Sequence, residues 1–328
     1  MPRMSSKVTV IILSYNQGPY LKDAIESVIN QTYQNLEIII SDNGSNDNSK
    51  EIIKNYLDDK RIIFLDYDKN EKVTKRCNAA IKIATGEYIS FLYSDDYYHD
   101  DKIKTQVEIL DSLDHTWGVV HGPVIRIDQN KFESLGRVTN AHDYCFEYLL
   151  KNYFDGFINP ISPLSRIDCW KKYPSYEDVF IEGEGLFLRF AMEYKFFYLE
   201  KPLAFMRDHK TNTGKALKRN IQTHHTMIKK LIHETKFNQK HLHLVTSHSA
   251  KFKENVAWHT VRSSGDKSFA RQAFMWAIRT KPTIILSLRT FIGIFLTFLP
   301  NVFLKPLNTV IDTTLRKKPF KVIEDYYQ

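Results

Sequence analysis

The chain has 328 residues, of which 43% are hydrophobic and 13% aromatic, and this composition excludes an intrinsically disordered protein. Its three cysteines, Cys77, Cys145 and Cys169, are odd in number and widely spaced, which argues against a disulfide framework and indicates a reducing compartment. The net charge of +8 is uneven, because residues 1–214 carry 26 basic and 32 acidic residues whereas residues 215–328 carry 20 and 6.

Strand and helix patterns alternate four times in the first hundred residues. Continuous apolar runs predict strands at VTVIILSYN, LEIII, RIIFLDYD and EYISFLYSDD. The first run is too short for a signal peptide. Helical spacing follows in the segment that opens at Pro19, in SKEIIKNYL and in KRCNAAIKIATG. This order predicts an α/β fold with a doubly wound, mostly parallel sheet, Rossmann-like in plan.

Polar residues stand where three of these strands end, at Ser14–Asn16, Asp42–Ser45 and Ser94–Asp96. Ligands of such sheets bind outside the carboxyl ends of the strands, so these residues are candidates for one site. Asp95 and Asp96 repel each other, and no basic residue follows until Lys102. Either a bound cation or a solvated turn would explain this pair. No glycine-rich phosphate loop is present, so a bound nucleotide would need carboxylates and a divalent cation for its phosphates.

A series of short motifs resembles the inverting glycosyltransferases of family 2, which have the GT-A fold. The motifs are SYN, EIIISDNGSND, a helix ending in ATGEYISFL, SDD, ISPLSRIDCW, IEGEGLFLRFA and MRDH, in this order over roughly residues 7–212. The resemblance implies transfer of a hexosyl or N-acetylhexosaminyl group from a nucleotide diphosphate sugar, most often UDP-linked. The acceptor would be a hydroxyl of a glycan or of a lipid-linked sugar.

The resemblance also implies roles for individual residues. Asp42 would hydrogen-bond the base of the nucleotide, and Asp95 would meet the metal and the diphosphate. A bound Mn²⁺ or Mg²⁺ and nearby positive charge would stabilise the leaving diphosphate. The implied donor-binding residues are Ser14, Asn16, Asp42, Arg76, Asp95 and Arg207, and the implied metal ligands are Asp95, Asp96 and His209.

The chain departs from the family pattern at three places. Tyr93 stands where the family has its first carboxylate, and Cys77 stands where it has an arginine, with Arg76 one place earlier. Glu182 aligns with the glutamate of the family's Glu-Asp base motif, and Gly183 replaces the aspartate. Glu182 is the preferred candidate for the base that takes the acceptor's proton, and Glu184 is its rival. The departures motivate one alternative, a sugar-nucleotide-binding protein without turnover. A sugar nucleotidyltransferase, which shares the sheet plan, is the other.

The second part of the chain contains a mostly apolar segment of 22 residues, Thr283 to Leu304. Arg289 inside it would cost about 2.5–3.5 kcal/mol at the centre of a bilayer. The sequence therefore predicts a helix in the membrane interface, held by basic residues to anionic lipid, rather than a span. A buried helix that covers the catalytic domain is the alternative. A small, polar stripe runs along the segment through Ser287, Thr290, Gly293 and Thr297.

These patterns predict a GT-A domain over residues 1–214 and a basic helical region over residues 215–328. The expected partners are the nucleotide-sugar donor, the acceptor and an anionic membrane surface, and not a nucleic acid. The expected location is cytoplasmic and peripheral, on the inner face of the membrane. His224 and His225 are interpreted as solvated helix histidines, because no cysteine or acidic cluster accompanies them.

Overall fold

The computed structural model describes residues 6–128, 130–136, 139–152, 156–180, 182–209, 217–263 and 266–300. The chain divides into two compact units between Lys210 and Thr211. The first unit is an α/β structure and the second is helical.

The described strands of the first unit form two sheets. They are β1 (Val8–Ser14), β2 (Leu36–Asp42), β3 (Ile62–Asp66), β4 (Tyr88–Tyr93), β5 (Tyr97–Tyr98), β6 (Trp117–His121), β7 (Ile125–Ile127), β8 (Glu133–Leu135), β9 (Leu164–Arg166), β10 (Lys195–Tyr198) and β11 (Ala204–Arg207). The helices are α1 (Gly18–Ile29), α2 (Ser49–Lys54), α3 (Val73–Ile83), α4 (Lys102–Ser112), α5 (Phe146–Asn152), α6 (Ile167–Lys172) and α7 (Glu184–Ala191).

The larger sheet has seven strands in the order β10-β6-β9-β4-β1-β2-β3. Strands β3, β2, β1 and β4 are parallel, and β9 is antiparallel to its neighbours β4 and β6. Apolar residues of α1 and α4 pack on one face of this sheet, whereas α3 contacts β1 and β2. Helices on both faces explain why the central strands are apolar on both sides. The predicted α/β architecture with a mostly parallel sheet is confirmed.

The register of the parallel strands aligns their polar ends. Ser14 of β1 lies opposite Asp42 of β2, and Leu13 lies opposite Tyr93 of β4. The smaller sheet has the order β5-β11-β7-β8, in which β11 pairs antiparallel with β5. Because β5 begins directly after Asp96, this pairing places the end of β11 beside the end of β4.

Three element boundaries differ from the sequence-based expectation. Strand β1 ends at Ser14, because Asn16 has a positive φ of 51° that a strand cannot continue. Helix α2 ends at Lys54 rather than Leu57, and the next two N–H groups bond to carbonyls only three residues back. Helix α3 begins at Val73 and ends at Ile83, because Ala84 has extended backbone angles.

The second unit consists of helices α8 (Leu217–Leu231), α9 (Leu242–Ser263), α10 (Lys267–Thr280) and α11 (Leu288–Leu296), with 3-10 turns at Gln239–His241 and Pro282–Leu286. Its core lies mainly between α9 and α10, where small residues such as Ala257 and Ala273 allow close packing around Phe274. Leu296 of α11 completes this core.

The prediction of one helix over the apolar segment is wrong. The 3-10 turn Pro282–Leu286 is followed by a separate nine-residue helix, α11, because the side chain of Ser287 caps that helix by accepting from the N–H of Thr290. Residues 301–304 of the segment lie outside the described residues. Within the described ranges, no helix is both long and apolar enough to cross a membrane.

The polar stripe of this segment is its buried face. Glu254 of α9 accepts hydrogen bonds from the hydroxyls of Ser287 and Thr290. A Cβ at Gly293 would come within 2.2 Å of the Phe274 ring, so only glycine permits this approach of α11 to α10. Leu288, Phe291 and Phe295 of α11 lie on the opposite, exposed side.

The interpretation of His224 as a solvated residue is also wrong. His224 is buried in α8 and stacks on Phe252 of α9, with ring centroids 3.8 Å apart. Burial, together with the positive charges nearby, lowers the pKa of His224 well below its usual value. His225 is exposed, as expected for a solvated helix histidine.

Candidate active site

The turns after β1 and β2 form one hydrogen-bonded structure at the carboxyl edge of the sheet. Asp42 is fully buried, and its carboxylate accepts from the N–H (2.8 Å) and the hydroxyl (2.6 Å) of Ser45. Asn16 donates its N–H to the Ser45 hydroxyl and accepts from the N–H of Asn46. The hydroxyl of Ser14 is buried and has no hydrogen-bond partner among the described residues. The three residues predicted to hold the nucleotide are therefore brought together, and their contacts with a base remain a prediction.

Arg76 of α3 ties the loops after β2 and β3 together. Its Nε donates to Asn43 Oδ1 at 2.7 Å and its Nη2 donates to the Lys69 carbonyl at 2.6 Å, while the guanidinium lies 3.6 Å from the centre of the Tyr67 ring. Gly44 has a φ of +78°, and a Cβ there would clash with the Lys69 backbone at 2.7 Å. The sequence SDNGSND thus needs its glycine for this close approach of two loops.

Asp95 meets His209 where β4 and β11 end. The distance from Asp95 Oδ2 to His209 Nε2 is 2.9 Å. The His209 ring stacks on Tyr20, which lies in the first turn of α1, with centroids 5.4 Å apart. Lys102, the nearest basic residue in sequence, is instead buried and donates to side chains of the core. The partner of the Asp95 carboxylate therefore comes from 114 positions later in the chain.

Arg207 connects β11 to the turn that carries both aspartates. Its N–H donates to Asp96 Oδ1 at 2.9 Å, its Nη1 donates to the Asp95 carbonyl at 3.0 Å, and its Nη2 donates to Asp23 of α1. The guanidinium also lies 4.7 Å from the centre of the Tyr97 ring. Burial and the neighbouring charge of Asp95 raise the pKa of Asp96 well above its usual value, against the effect of the Arg207 hydrogen bond. Asp96 thus anchors β11 from a buried position.

Asp95 and His209 are suited to supply two ligands of a divalent cation, with the substrate supplying the others. Mg²⁺ and Mn²⁺ are commonly held by one or two carboxylates together with substrate phosphates, and imidazole is a competent ligand. Among the described residues, no three His, Cys, Asp or Glu side chains come together as a metal site. Asp96, the third predicted ligand, has one oxygen committed to the Arg207 backbone. The pair can hold the cation only in part, so the diphosphate would supply the remaining oxygens.

Glu182, the preferred candidate for the base, is held in a buried ion pair. Its Oε1 lies 3.0 Å from Arg189 Nη1, and its Oε2 accepts from the N–H of Tyr176 at 2.9 Å. Both oxygens of this carboxylate are therefore engaged by donors within the protein. Glu184 is the first residue of α7, and its side chain lies outside the described residues. The structure brings Glu182 to the turn before α7 but leaves the identity of the base a prediction.

Gly183, between these two glutamates, has φ 53° and ψ −128°. Residues other than glycine adopt this backbone conformation only under strain. The Glu182 carbonyl accepts from the N–H of Gly185, which closes the turn into α7. The shape of the turn therefore accounts for a glycine where the family pattern has an aspartate.

A cavity of about 40 Å³ lies between the end of β4 and the turn before α7. Helices α3, α6 and α7 contribute to its wall. Among the lining residues are Cys77, Phe91, Tyr93, Trp170, Glu182 and Phe187.

Several residues that build this site carry no motif in the sequence. Tyr20 and Asp23 lie on the first two turns of α1, and Tyr97 lies on β5; together they hold His209 and Arg207. Arg189 holds Glu182. The available signal for Tyr20 and Asp23 is their position, because the first helix begins directly after the carboxyl end of the first strand.

Comparison with known proteins identifies the first unit. Residues 9–161 match the family model of glycosyl transferase family 2. The chain carries a domain of this family. It is 35% identical over 147 residues to the glycosyltransferase GlyG of Streptococcus pneumoniae, which covers 44% of the chain and 48% of the relative. It is 40% identical over 105 residues to an Escherichia coli enzyme named UDP-Glc:alpha-D-GlcNAc-diphosphoundecaprenol beta-1,3-glucosyltransferase WfaP, which covers 32% of the chain and 41% of that relative.

The chain thus spans about half the length, or less, of these curated relatives. Solved structures resemble it over a greater length. S. aureus TarS 1-349 in complex with UDP-GlcNAc has a TM-score of 0.62 at 15% identity, over 97% of this chain and 95% of that one. Mannosyltransferase PcManGT from Pyrobaculum calidifontis, in complex with GDP-Man and Mn²⁺, has a TM-score of 0.59 at 15% identity, over 97% and 89%. The family 2 resemblance and the GT-A fold are confirmed.

Proposed function

We propose that this chain transfers a sugar from a nucleotide diphosphate sugar, UDP-linked, to a hydroxyl of a glycan or of a lipid-linked sugar. The reaction inverts the anomeric centre and is assisted by Mn²⁺ or Mg²⁺. The observation that carries the proposal is the meeting of Asp95 and His209, 2.9 Å apart, at the strand edge of a family 2 domain. The donors named for WfaP and TarS, UDP-Glc and UDP-GlcNAc, support a UDP-linked donor.

The chemistry assigned to the chain's own residues is positioning, charge compensation and proton removal. The turn of Asn16, Asp42 and Ser45 offers polar groups for a base. Arg207 and His209 place positive charge or hydrogen-bond donors where a diphosphate leaves. When bound, the cation would neutralise charge on that diphosphate. One glutamate, Glu182 or Glu184, takes the proton of the acceptor hydroxyl, and no covalent intermediate on the enzyme is needed.

Two alternatives stand against this proposal. The replaced residues at Cys77, Tyr93 and Gly183 motivate a protein that binds sugar nucleotides without turnover. A nucleotidyltransferase shares the sheet plan, but the glycine-rich phosphate loop that it needs after the first strand is replaced here by LSYNQGPYL.

The deciding experiment incubates the full chain with radiolabelled UDP-sugars, Mn²⁺ and lipid-linked or oligosaccharide acceptors. Release of UDP with label in the acceptor supports the proposal. Binding of UDP-sugar without release supports the protein without turnover. Pyrophosphate formed from a sugar phosphate and UTP would identify the nucleotidyltransferase. Loss of the signal on addition of a chelator tests the metal.

We further propose that residues 215–328 hold the enzyme on the inner, cytoplasmic face of an anionic membrane. An apolar strip supports this: Leu288, Phe291 and Phe295 on the exposed side of α11, followed by Phe298, all more than half exposed. Residues 217–300 carry 14 basic and 3 acidic residues. An exposed apolar face on a strongly basic unit suits anionic lipid better than water. The three free thiols are compatible with a reducing compartment.

A further inference from the structure

The cavity beside the turn before α7 lies between two elements of the candidate site. One side of it is formed by Phe91 and Tyr93 of β4, the strand that leads to Asp95 two residues later. The other side is formed by Glu182 and Gly183, at the turn that carries the candidate bases. Under the proposed function, the donor's anomeric carbon lies between a diphosphate at Asp95 and a base at this turn, so the cavity adjoins that carbon.

The lining of the cavity is mainly apolar. The rings of Phe91 and Trp170 pack with centroids 4.7 Å apart, and Leu186 and Phe187 of α7 add further apolar surface. A hydroxyl group buried against such surface loses its hydrogen bonds to water and is destabilised unless it finds a partner. The cavity therefore favours an apolar group over a hydroxyl.

The side chains of Thr74 and Glu182, two polar residues of the lining, are engaged elsewhere. The Thr74 hydroxyl donates to the Val179 carbonyl at 2.8 Å. The Glu182 carboxylate accepts from Arg189 and from the N–H of Tyr176. Burial, and then the charge of Glu182, raise the pKa of Cys77 to about 12, so its thiol is neutral and behaves as a small apolar group.

We propose that this cavity receives the methyl end of a 2-acetamido group, so that the donor sugar is an N-acetylhexosamine rather than a plain hexose. The substituent on C2 is the donor group adjacent to the anomeric carbon, and the volume of about 40 Å³ exceeds the roughly 10–15 Å³ that one water-sized group needs. One wall is formed by β4, the strand that leads to Asp95. This favours the donor, rather than an apolar part of the acceptor, as the molecule that occupies the cavity. This inference rests on the proposed function and specifies its substrate class.

The first test compares paired donors on the full chain with Mn²⁺. UDP-GlcNAc is measured against UDP-Glc, and UDP-GalNAc against UDP-Gal, both by turnover and by displacement of bound UDP. A group that fills or misses an apolar pocket changes kcat/KM by about 10- to 200-fold, so we expect the acetamido donor of one pair to be preferred by that factor. Equal use of both donors, or preference for the plain hexose, would overturn the inference.

Two substitutions change the size of the cavity in opposite directions. Cys77→Leu should fill it and lower the preference for the acetamido donor about tenfold or more. Phe187→Leu should enlarge it and improve use of an N-propanoyl donor relative to the N-acetyl donor. Cys145→Leu is the matched control, since Cys145 is a buried thiol of the same unit that does not line the cavity. Its donor ratio should remain that of the wild type even if its stability falls.

Each outcome separates this inference from the proposed function. Turnover with no donor, while UDP-GlcNAc still displaces UDP better than UDP-Glc does, would contradict the transferase and support the cavity. A Cys77→Leu enzyme that loses both donors equally would contradict the cavity alone. A loss of affinity for an apolar acceptor at an unchanged donor ratio would assign the cavity to the acceptor. If Cys77→Leu does not fold, the donor pairs measured on the wild type and the Phe187→Leu variant still test the inference.

Discussion

The Asp95 carboxylate is bonded by a side chain from the residues that follow β11. His209 approaches one of its oxygens, while Arg207 binds its carbonyl. Its neighbour Asp96 is nearly buried, 4% exposed, and accepts from the Arg207 N–H. The two adjacent aspartates therefore differ in their contacts: the carboxylate of Asp95 meets the His209 side chain, and that of Asp96 holds the backbone of β11.

Asp95→Asn should remove Mn²⁺-dependent UDP binding while leaving the fold intact. The amide is neutral and a poorer ligand for a hard cation, so we expect UDP affinity in Mn²⁺ to fall more than about tenfold. Calorimetric titration of UDP with Mn²⁺ and with chelator measures the effect. Asp58→Asn, at an exposed position after α2, is the control. Unchanged affinity and metal dependence in Asp95→Asn would mean that the residue merely ends a strand.

Substitution of the two candidate bases should affect the stability of the protein differently. We expect Glu184→Gln to lower kcat by about 10²- to 10⁴-fold with donor binding and melting temperature kept. Glu182→Gln should lower the melting temperature, because it removes the buried ion pair between Glu182 and Arg189. A Glu182→Gln enzyme with normal stability and a comparable loss of kcat would instead make Glu182 the base. Near-normal rates in both would place the base elsewhere.

The sequence located the strand ends of the site but not the contacts between them. Asp42 and Asp95 follow continuous apolar runs, so their position at the sheet edge could be predicted. Arg207 and His209 were found only through the family motif. Tyr20 and Asp23 could not be found as their partners, because that contact depends on β11 pairing with β5 across more than a hundred residues.

Among the elements, β2 contains a second buried acid besides Asp42. Glu37 accepts from the hydroxyl of Thr9 on the neighbouring β1, from the N–H and hydroxyl of Thr85, and from Lys7. Burial alone would raise the pKa of Glu37, but these hydrogen bonds together outweigh it and hold the pKa below its usual value. Glu37 thus joins β1, β2 and the segment that leads into β4.

Glu37→Gln should make the first unit less stable at neutral pH and less sensitive to acid. Since the folded pKa of Glu37 is depressed, its contribution is present above its unfolded pKa of about 4.5 and is lost as pH falls through the folded value. We expect a loss of about 1–3 kcal/mol at pH 7 that shrinks below pH 4. Urea unfolding at both pH values measures it, with exposed Glu108→Gln as control. A pH-independent difference would contradict the assignment.

The apolar segment shows why element boundaries were harder to predict than element types. Hydrophobicity alone suggested one long helix, since residues 283–299 contain no acid. The structure breaks it at Ser287, which caps α11 and also donates to Glu254. The position of this break depends on Glu254, a buried acid of another helix, so a local sequence pattern cannot reveal it. The polar stripe was visible in the sequence, but it faces the unit's own core.

For the molecule as a whole, the charge asymmetry and the apolar strip belong to the same unit. Glu254, one of only three acids among residues 217–300, is engaged by Ser287 and Thr290. Arg271 lies 5.4 Å from the centre of the Phe298 ring, so a cation adjoins the end of the strip. Lipid headgroups of negative charge would meet the basic surface while the rings enter the acyl boundary.

Vesicle binding should therefore have a part that salt removes and a part that it does not. Each basic residue near anionic lipid contributes about 1 kcal/mol, which salt screens, whereas insertion of phenylalanine rings resists salt. Phe291→Ser with Phe295→Ser should abolish flotation with anionic vesicles in high salt. These substitutions are preferable to a truncation, because Leu296 of the same helix belongs to the unit's core.

Phe132→Ser is the matched control for this experiment, because Phe132 in the first unit is as exposed as Phe291, 69% in both cases. It should float like the wild type, and neutral vesicles should bind every variant weakly. A wild-type chain that does not float at all would contradict the proposal of membrane binding. If it instead forms a dimer in solution that the double substitution dissolves, the strip is covered by a second copy of the chain and not by lipid.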